Sequence, residues 1–385
     1  MRLNLLTPLV LLLVAACGQQ QPVPPGPRVA AVAQSHAIRP ARAFVATAAG
    51  IAVVDTATGA TLRTLPAGTP APGWRWLYTL RSSRLNLVDP ATGTNSHDFI
   101  APDWASGLRT SPRGSWLVLI GAGGRFQLRD AALAKAPIDV TLGPDYTFDG
   151  VTDDGRALYL LQWVSPGRYF VRRFDVPIHA LSEQVIFDKQ EGQRPMSGEG
   201  VRSLPTADGR MQFTLYRHNA KGRSFVHALP LDTQFPFAFC IDLPGPDSGW
   251  TLVPAPDGIR FYAAHPSAGQ LVELTTDNDV SHNEPHQRTA NVPGLGVAGL
   301  AAAVGADGRT LYLGGARGVT AVNVADLKAM THRDLGGFAV TALAAGPGAV
   351  YALAGGRLLT LDPGDLRVVV SAPAPADATD ILRVT

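Results

Sequence analysis

Three observations predict an all-β fold built from repeats. The chain carries 40 Gly and 31 Pro in 385 residues, with no long amphipathic period beyond its first residues, a composition of short strands joined by turns. A turn followed by a strand recurs as Asp154-Gly155-Arg156-Ala157-Leu158-Tyr159, Asp208-Gly209-Arg210-Met211-Gln212-Phe213, Asp257-Gly258-Ile259-Arg260-Phe261-Tyr262 and Asp307-Gly308-Arg309-Thr310-Leu311-Tyr312. With weaker copies around Gly73, Gly114 and Gly348, these turn glycines follow one another at steps of 40 to 54 residues. That is the period of a four-stranded propeller blade, so the expected architecture is a single β-propeller.

In chain order, Arg2 precedes an apolar run from Leu3 to Val14 that ends in Val14-Ala15-Ala16-Cys17. The run is too short to span a bilayer and has the charged start and small-residue exit of a secretory signal over residues 1–16. Cys17 follows the cut, where its thiolate can be alkylated by lipid. The alternative is an ordinary cleaved signal in which Cys17 is incidental. Residues 17–38 then form a polar, stiff tether, since Gln19, Gln20, Gln21 and four prolines fall within 18–27; extended at about 3.1 Å per residue, that stretch reaches roughly 30 Å. The one other cysteine, Cys240, lies in Phe237-Ala238-Phe239-Cys240-Ile241 and reads as a small hydrophobe in a buried strand. With no free thiol to pair with it, the domain must be held by its core, and its length suffices for that.

Residues 39–385 make up the propeller. Strands that follow the repeated turn, with the one that opens the domain, start near Phe44, Trp76, Trp116, Leu158, Met211, Phe261, Leu311 and Val350, which counts eight blades. The step from Phe44 to Trp76 is short, so seven blades with that pair merged is the alternative. The first unit begins at its second strand, and Thr379 to Val384 reads as an isolated innermost strand. The C-terminus is therefore expected to complete the first blade, tying the ring and removing exposed sheet edges. Within the units a further strand ends in an acidic turn, as in Ile51-Ala52-Val53-Val54-Asp55-Thr56-Ala57-Thr58-Gly59, Leu85-Asn86-Leu87-Val88-Asp89-Pro90-Ala91-Thr92-Gly93 and Asp362-Pro363-Gly364. The Asp accepts backbone N–H bonds and the Gly takes positive φ, so this is turn chemistry.

The Asp-Gly-Arg-x-Leu-Tyr and Val-Val-Asp-Thr-Ala-Thr-Gly runs resemble those of bacterial YVTN-type β-propellers, relatives of the WD-repeat and lactonase-like propellers. The first seventeen residues resemble a bacterial lipoprotein signal. The second resemblance implies that Cys17 becomes the acylated first residue of the mature chain. It places the protein in the cell envelope, lipid-anchored at the outer membrane or the outer face of the cytoplasmic membrane. Gly18, where an Asp would act as a retention signal, is compatible with outer-membrane sorting.

A formal charge of +2, from 33 basic and 31 acidic residues, supplies no field for nucleic acid. In a propeller the loops leading into each blade share one face with the turns between its middle strands. Three inbound loops repeat a theme: Pro102-Asp103-Trp104, Pro144-Asp145-Tyr146, and Pro246-Asp247 followed by Trp250. The middle turns carry Arg81, Arg84, Arg168, Arg217, His218, Lys221, Arg223, His265 and Arg317. Asp103, Trp104, Asp145, Tyr146 and Trp250 are thus expected to line one channel mouth with Arg168, Arg217 and Arg223. Aromatic planes beside carboxylates and guanidinium groups suit a glycan or an extended peptide. The structural alternative is that Asp–Arg pairs stitch neighbouring blades while the aromatics cap the core.

Asp277, Asp279, His282, Glu284 and His286 offer oxygen and imidazole ligands. The sixth position from Asp277 is His282, however, where a calcium loop needs Gly. The segment reads as a solvated outer loop, and no metal or other cofactor is assigned. The chain contains neither Gly-x-Ser-x-Gly nor His-Glu-x-x-His, and Gly121-Ala122-Gly123-Gly124 is too short for a phosphate loop, so no catalytic residue is assigned. The expected function is a non-enzymatic envelope lipoprotein whose ring is a platform for a protein or glycan partner. The alternative is a lactonase-like or other hydrolytic propeller, with Asp103, Asp145 and His218 as candidate acid–base groups.

Overall fold

The strands that stack side by side in this molecule are apolar on both faces where they lie in the middle of a sheet. Ala349–Ala354 and Phe225–Pro230 are buried at every position, whereas an outermost strand such as Asn95–Ile100 is exposed along almost its whole length. A strand needs continuous apolar sequence only when both faces of its sheet are covered, so each sheet must be sandwiched between two others. The computed structural model describes residues 41–385 apart from 190–191, 232–235, 277–284 and 298–299. The expected signal, Cys17 and the whole tether lie outside the described residues, as do Asp277, Asp279, His282 and Glu284 of the polar loop. His286 is described, and sits exposed at the start of an outermost strand.

Among the described residues the strands form eight four-stranded antiparallel units, each a meander from channel to rim. Blade one spans 42–65 and takes its innermost strand from 380–384; blades two to eight span 69–100, 105–141, 146–188, 199–242, 251–291, 301–333 and 340–373. The short step between the first two units is met by shrinking the innermost strand of blade two to Thr69–Pro70, with no merging of the pair. Fusion occurs elsewhere. The outermost strands of blades four and five pair in parallel through Phe187 with Phe237 and Asp188 with Ala238, and Met196–Ser197 adds to blade four opposite Arg168 and Tyr169.

Packing runs around the ring and returns to its start. Phe44, Val53 and Leu65 of blade one meet Leu77 and Val88 of blade two. Leu85 and Leu87 meet Leu117 and Leu119; Val118 and Phe126 meet Leu158 and Leu160; Tyr159 and Tyr169 meet Tyr216 and Phe225. Phe213 and Phe239 meet Phe261 and Leu274, Tyr262 and Leu271 meet Leu311 and Leu313, and Tyr312 and Val319 meet Val350 and Leu361. Blade eight then packs on blade one, Tyr351 and Leu353 against Val45, Val54 and Ile381.

The repeated turn has the expected chemistry. The Oδ1 atoms of Asp154, Asp208 and Asp307 accept the backbone N–H two residues on, at 2.9, 3.1 and 2.9 Å. Gly155, at φ 70°, answers a second demand, since a Cβ there would collide with the indole of Trp116 in the preceding blade. The acidic turns behave alike: Asp55 Oδ1 accepts from the N–H groups of Ala57 and Thr58 at 2.9 Å, and the backbone bond from Thr58 leads the causes that lower its pKa.

The C-terminal strand, Asp380–Val384, pairs antiparallel with Arg42–Thr47. Arg42 and Thr385 exchange backbone hydrogen bonds at 3.0 Å each way, and the Thr379 N–H donates to the Ala46 carbonyl at 2.9 Å. Truncation after Ala376 removes this strand, including Ile381 from the seam between blades eight and one, and leaves the Arg42–Thr47 edge unpaired. The melting temperature should fall by several degrees and the transition should broaden; an unchanged calorimetric trace would reduce the segment to a tail.

Candidate functional site

Eight innermost strands surround a channel, and one of them divides it. The innermost strand of blade five, Glu199–Pro205, is exposed at nearly every position, unlike the other seven, which bury at least part of their length or, in blade two, are only half exposed. On one side lies a cavity of about 900 Å³, walled by the innermost strands of blades two to five. On the other lies one of about 420 Å³, walled by those of blades five to eight and one. Val201 and Arg202 line both.

The larger cavity holds Arg109, Asp149, Glu199, Arg202 and the edges of Trp74 and Trp163. Asp149 sits where the innermost strand of blade four bulges between Phe148 and Gly150, an irregularity that turns its side chain toward blade five. The Gln212 side-chain amide donates to the Asp149 carbonyl at 3.0 Å and to Oδ1 at 3.3 Å, while Oδ2 is buried with no hydrogen bond. Burial pushes its pKa from 3.8 up to about 7. His227, in the third strand of blade five, is the mirror case: both ring nitrogens are buried without partners, and burial lowers its pKa from 6.5 to about 4. Trp163, Tyr169, Tyr216 and Phe225 form an aromatic ladder with ring centroids 5.3, 5.6 and 5.1 Å apart in turn, and His227 sits edge-on to Tyr216. Neither Asp149 nor His227 belongs to a recognisable motif; Asp149 was hidden because its burial depends on a bulge and on a residue of the next blade.

The upper face gathers the inbound loops and middle turns as expected. Arg125, at the middle turn of blade three, lies over the Trp104 ring at 5.4 Å. Asp247, from the loop into blade six, accepts the backbone N–H of His218 of blade five at 2.9 Å and pairs with its imidazole. Most of the charges there are used by the fold. Arg84 holds Asp98 with Nε at 2.8 Å from Oδ1, Lys221 reaches Asp242 at 3.2 Å, and Arg317 donates to the Gly294 carbonyl.

The expected binding set is split by the structure. Trp250 is a core residue, 2% exposed, its indole N–H donating to the Pro246 carbonyl at 2.9 Å and its ring set edge-on against the buried His265. It presents no free aromatic plane, because the loop from Pro246 folds it down between blades five and six. Tyr146 is half-buried against the seam of blades three and four, and Trp104 is half-buried beside Gly121. Asp145 is half-buried beside Gln162, and Asp103 is exposed. Of the eight expected residues only Trp250 walls a channel cavity, so Asp103, Trp104, Asp145, Tyr146, Arg168, Arg217 and Arg223 stand outside the channel walls.

Arg168, Arg217 and Arg223 do come together in one region. Ser197 pairs with Arg168, and two residues on Glu199 pairs with Arg217, so a single backbone crossing links the ends of blades four and five. Arg168 and Arg223 are exposed, and Arg217 buries its Nε without a hydrogen bond. Cys240, expected to be buried, is half-buried behind this region, in a small pocket with Met196, Lys221 and Asp242.

No family model matches the chain, and no curated protein matches it. Among solved structures, apo AztD from Citrobacter koseri aligns over 90% of this chain and 98% of its own, at TM-score 0.59 and 10% identity. A second Citrobacter koseri AztD structure covers 90% and 97%, at 0.58 and 10%. Dihydro-heme d1 dehydrogenase NirN in complex with DHE covers 83% and 68%, at 0.50 and 16%. In all, 1351 solved chains match, and an architecture shared so widely carries no function with it. These are likenesses of fold, and the fold they support is the β-propeller.

The buried carboxyl makes stability depend on pH. Its folded pKa is raised, so Asp149 contributes fully below about pH 4, loses that contribution as pH rises through about 7, and stays penalised above. The penalty for carrying the charge is about 4 kcal/mol. Asp149→Asn removes it while keeping the acceptor for Gln212. The variant should melt a few degrees above the parent at pH 8 and alongside it at pH 4; equal shifts at both values would show that the carboxyl is not buried neutral.

Proposed function

We propose that this chain is a membrane-anchored envelope lipoprotein of the YVTN-type propeller class, whose ring binds a protein or glycan partner without catalysing a reaction. The anchor is lipid on Cys17, after removal of residues 1–16, and residues 17–38 hold the propeller off the membrane. The observation that carries the binding reading is the group of arginines the fold leaves over. Arg168, Arg217 and Arg223 make no side-chain hydrogen bond or ion pair among the described residues, yet they converge where blades four and five adjoin. Guanidinium groups left unpaired, while the nearby Asp242 and Asp247 are engaged by Lys221 and His218, favour a partner with acidic or carboxylate-bearing groups, and Trp104 and Asp103 extend that face toward blade three. Asp103, Asp145 and His218, the candidate acid–base groups, come from three different blades, and none of them walls a channel cavity.

Two measurements check the two halves of this reading. Membrane-extracted protein should have the intact mass of a chain beginning at acylated Cys17, and Cys17→Ala should move it to the soluble fraction; a mature chain starting elsewhere with no added acyl mass would sink the anchor. Arg168→Glu combined with Arg223→Glu should abolish retention of cross-linked envelope material while leaving the melting curve in place, since both side chains are exposed. Undiminished retention would remove this face from the site.

A further inference from the structure

We propose that the smaller half of the channel binds a small amphipathic carboxylate, its carboxylate on Arg202 and its apolar part against Val201, Leu300 and Leu382. This deepens the binding reading and rests on it.

The inner surface of a water-filled channel is a poor place for large apolar side chains unless something covers them. Val201, Leu300 and Leu382 are 38%, 49% and 39% exposed, and all three wall the 420 Å³ cavity. Val201 and Leu382 are each the extra residue of a bulge, one between Gly200 and Arg202, the other between Ile381 and Arg383. A bulge turns a side chain away from its alternating place, and both of these turn theirs toward the cavity.

Arg202 supplies the polar end. Its guanidinium makes no hydrogen bond or ion pair among the described residues, and the surrounding walls depress its pKa, an effect the charge of Asp380 partly offsets. An exposed, unpaired guanidinium at a cavity wall gains from a fixed anion that it can grip with two parallel N–H bonds, the geometry of a carboxylate. Asp380 does not fill that role, since its Oδ1 accepts the Ile381 N–H at 2.8 Å and it forms no ion pair with Arg202 among the described residues. Among the described residues no second basic side chain walls this half, which matches a monoanion better than a phosphate. The volume is that of a small-molecule site. A free fatty or aryl acid and the C-terminus of an apolar peptide share the chemistry.

The test is calorimetric titration of the purified full chain with sodium octanoate, octanol, acetate and acetylated leucyl-leucine. Octanoate or the dipeptide should bind roughly tenfold or more tightly than octanol or acetate, the tighter of the two naming the source. Arg202→Gln should weaken that binding by roughly tenfold or more, and Asp380→Asn should strengthen it, because the competing carboxylate is gone. Octanoate and dipeptide heats that are absent, equal to those of octanol, or unchanged in Arg202→Gln overturn the proposal. Should Arg202→Gln fail to fold, the comparison with octanol and the Asp380→Asn variant decide. None of these ligands or variants involves Arg168 or Arg223, so the channel site and the upper-face reading fail separately.

Discussion

Burial of every sheet between two others is the constraint on which the rest of this molecule depends. A single four-stranded unit hides neither face, and Tyr159, Phe213, Tyr262 and Tyr351 would stand in water on an isolated blade. Fully burying such a side chain contributes about 1.5–3 kcal/mol, and cutting one to Ala costs about 3–5 kcal/mol once the cavity is counted. The stabilisation exists only while the neighbour is in place, so it propagates from seam to seam and must close. That is why the first and last strands share a blade: the apolar seam between blades eight and one includes Ile381 from one end of the domain and Val45 from the other.

Closure has a second consequence. The innermost strands turn one edge to a channel that no neighbouring sheet covers, and there the regular alternation breaks. Register shifts leave Ser106, Asp149, Val201, Thr341 and Leu382 as extra residues on five innermost strands. One of them is the buried carboxyl, and three, Val201, Thr341 and Leu382, wall the smaller cavity. Part of the channel's chemistry is therefore set where the repeat fails.

Blades four and five show the same principle at the rim. Their outer strands join in parallel, and the chain crossing from one to the other carries Ser197 and Glu199 past Arg168 and Arg217. Among the described residues Arg168, Arg217 and Arg223 make no ion pair at this junction, although Glu199 stands opposite Arg217 in the register. Asp98 pairs with Arg84 and Asp242 with Lys221, each within one blade, while Asp247 contacts the His218 ring across adjacent blades, with His where the expected stitching had Arg.

Local chemistry is what the sequence by itself determined. Asp-Gly turns read correctly because an Asp two residues before an N–H, with a Gly at positive φ, needs no distant partner, and the steps between those turns carried the architecture and the closing strand. Trp104 and Arg168 could be placed on the upper face for the same reason, since loop position follows from strand order. Trp250 could not be told from a binding aromatic, because its burial depends on Phe213 and Leu252 of two different blades. Asp149, Arg202 and the divided channel were decided by tertiary structure alone: a bulge shifts a side chain by one place in the alternation, and the sequence pattern does not record on which residue the register slips.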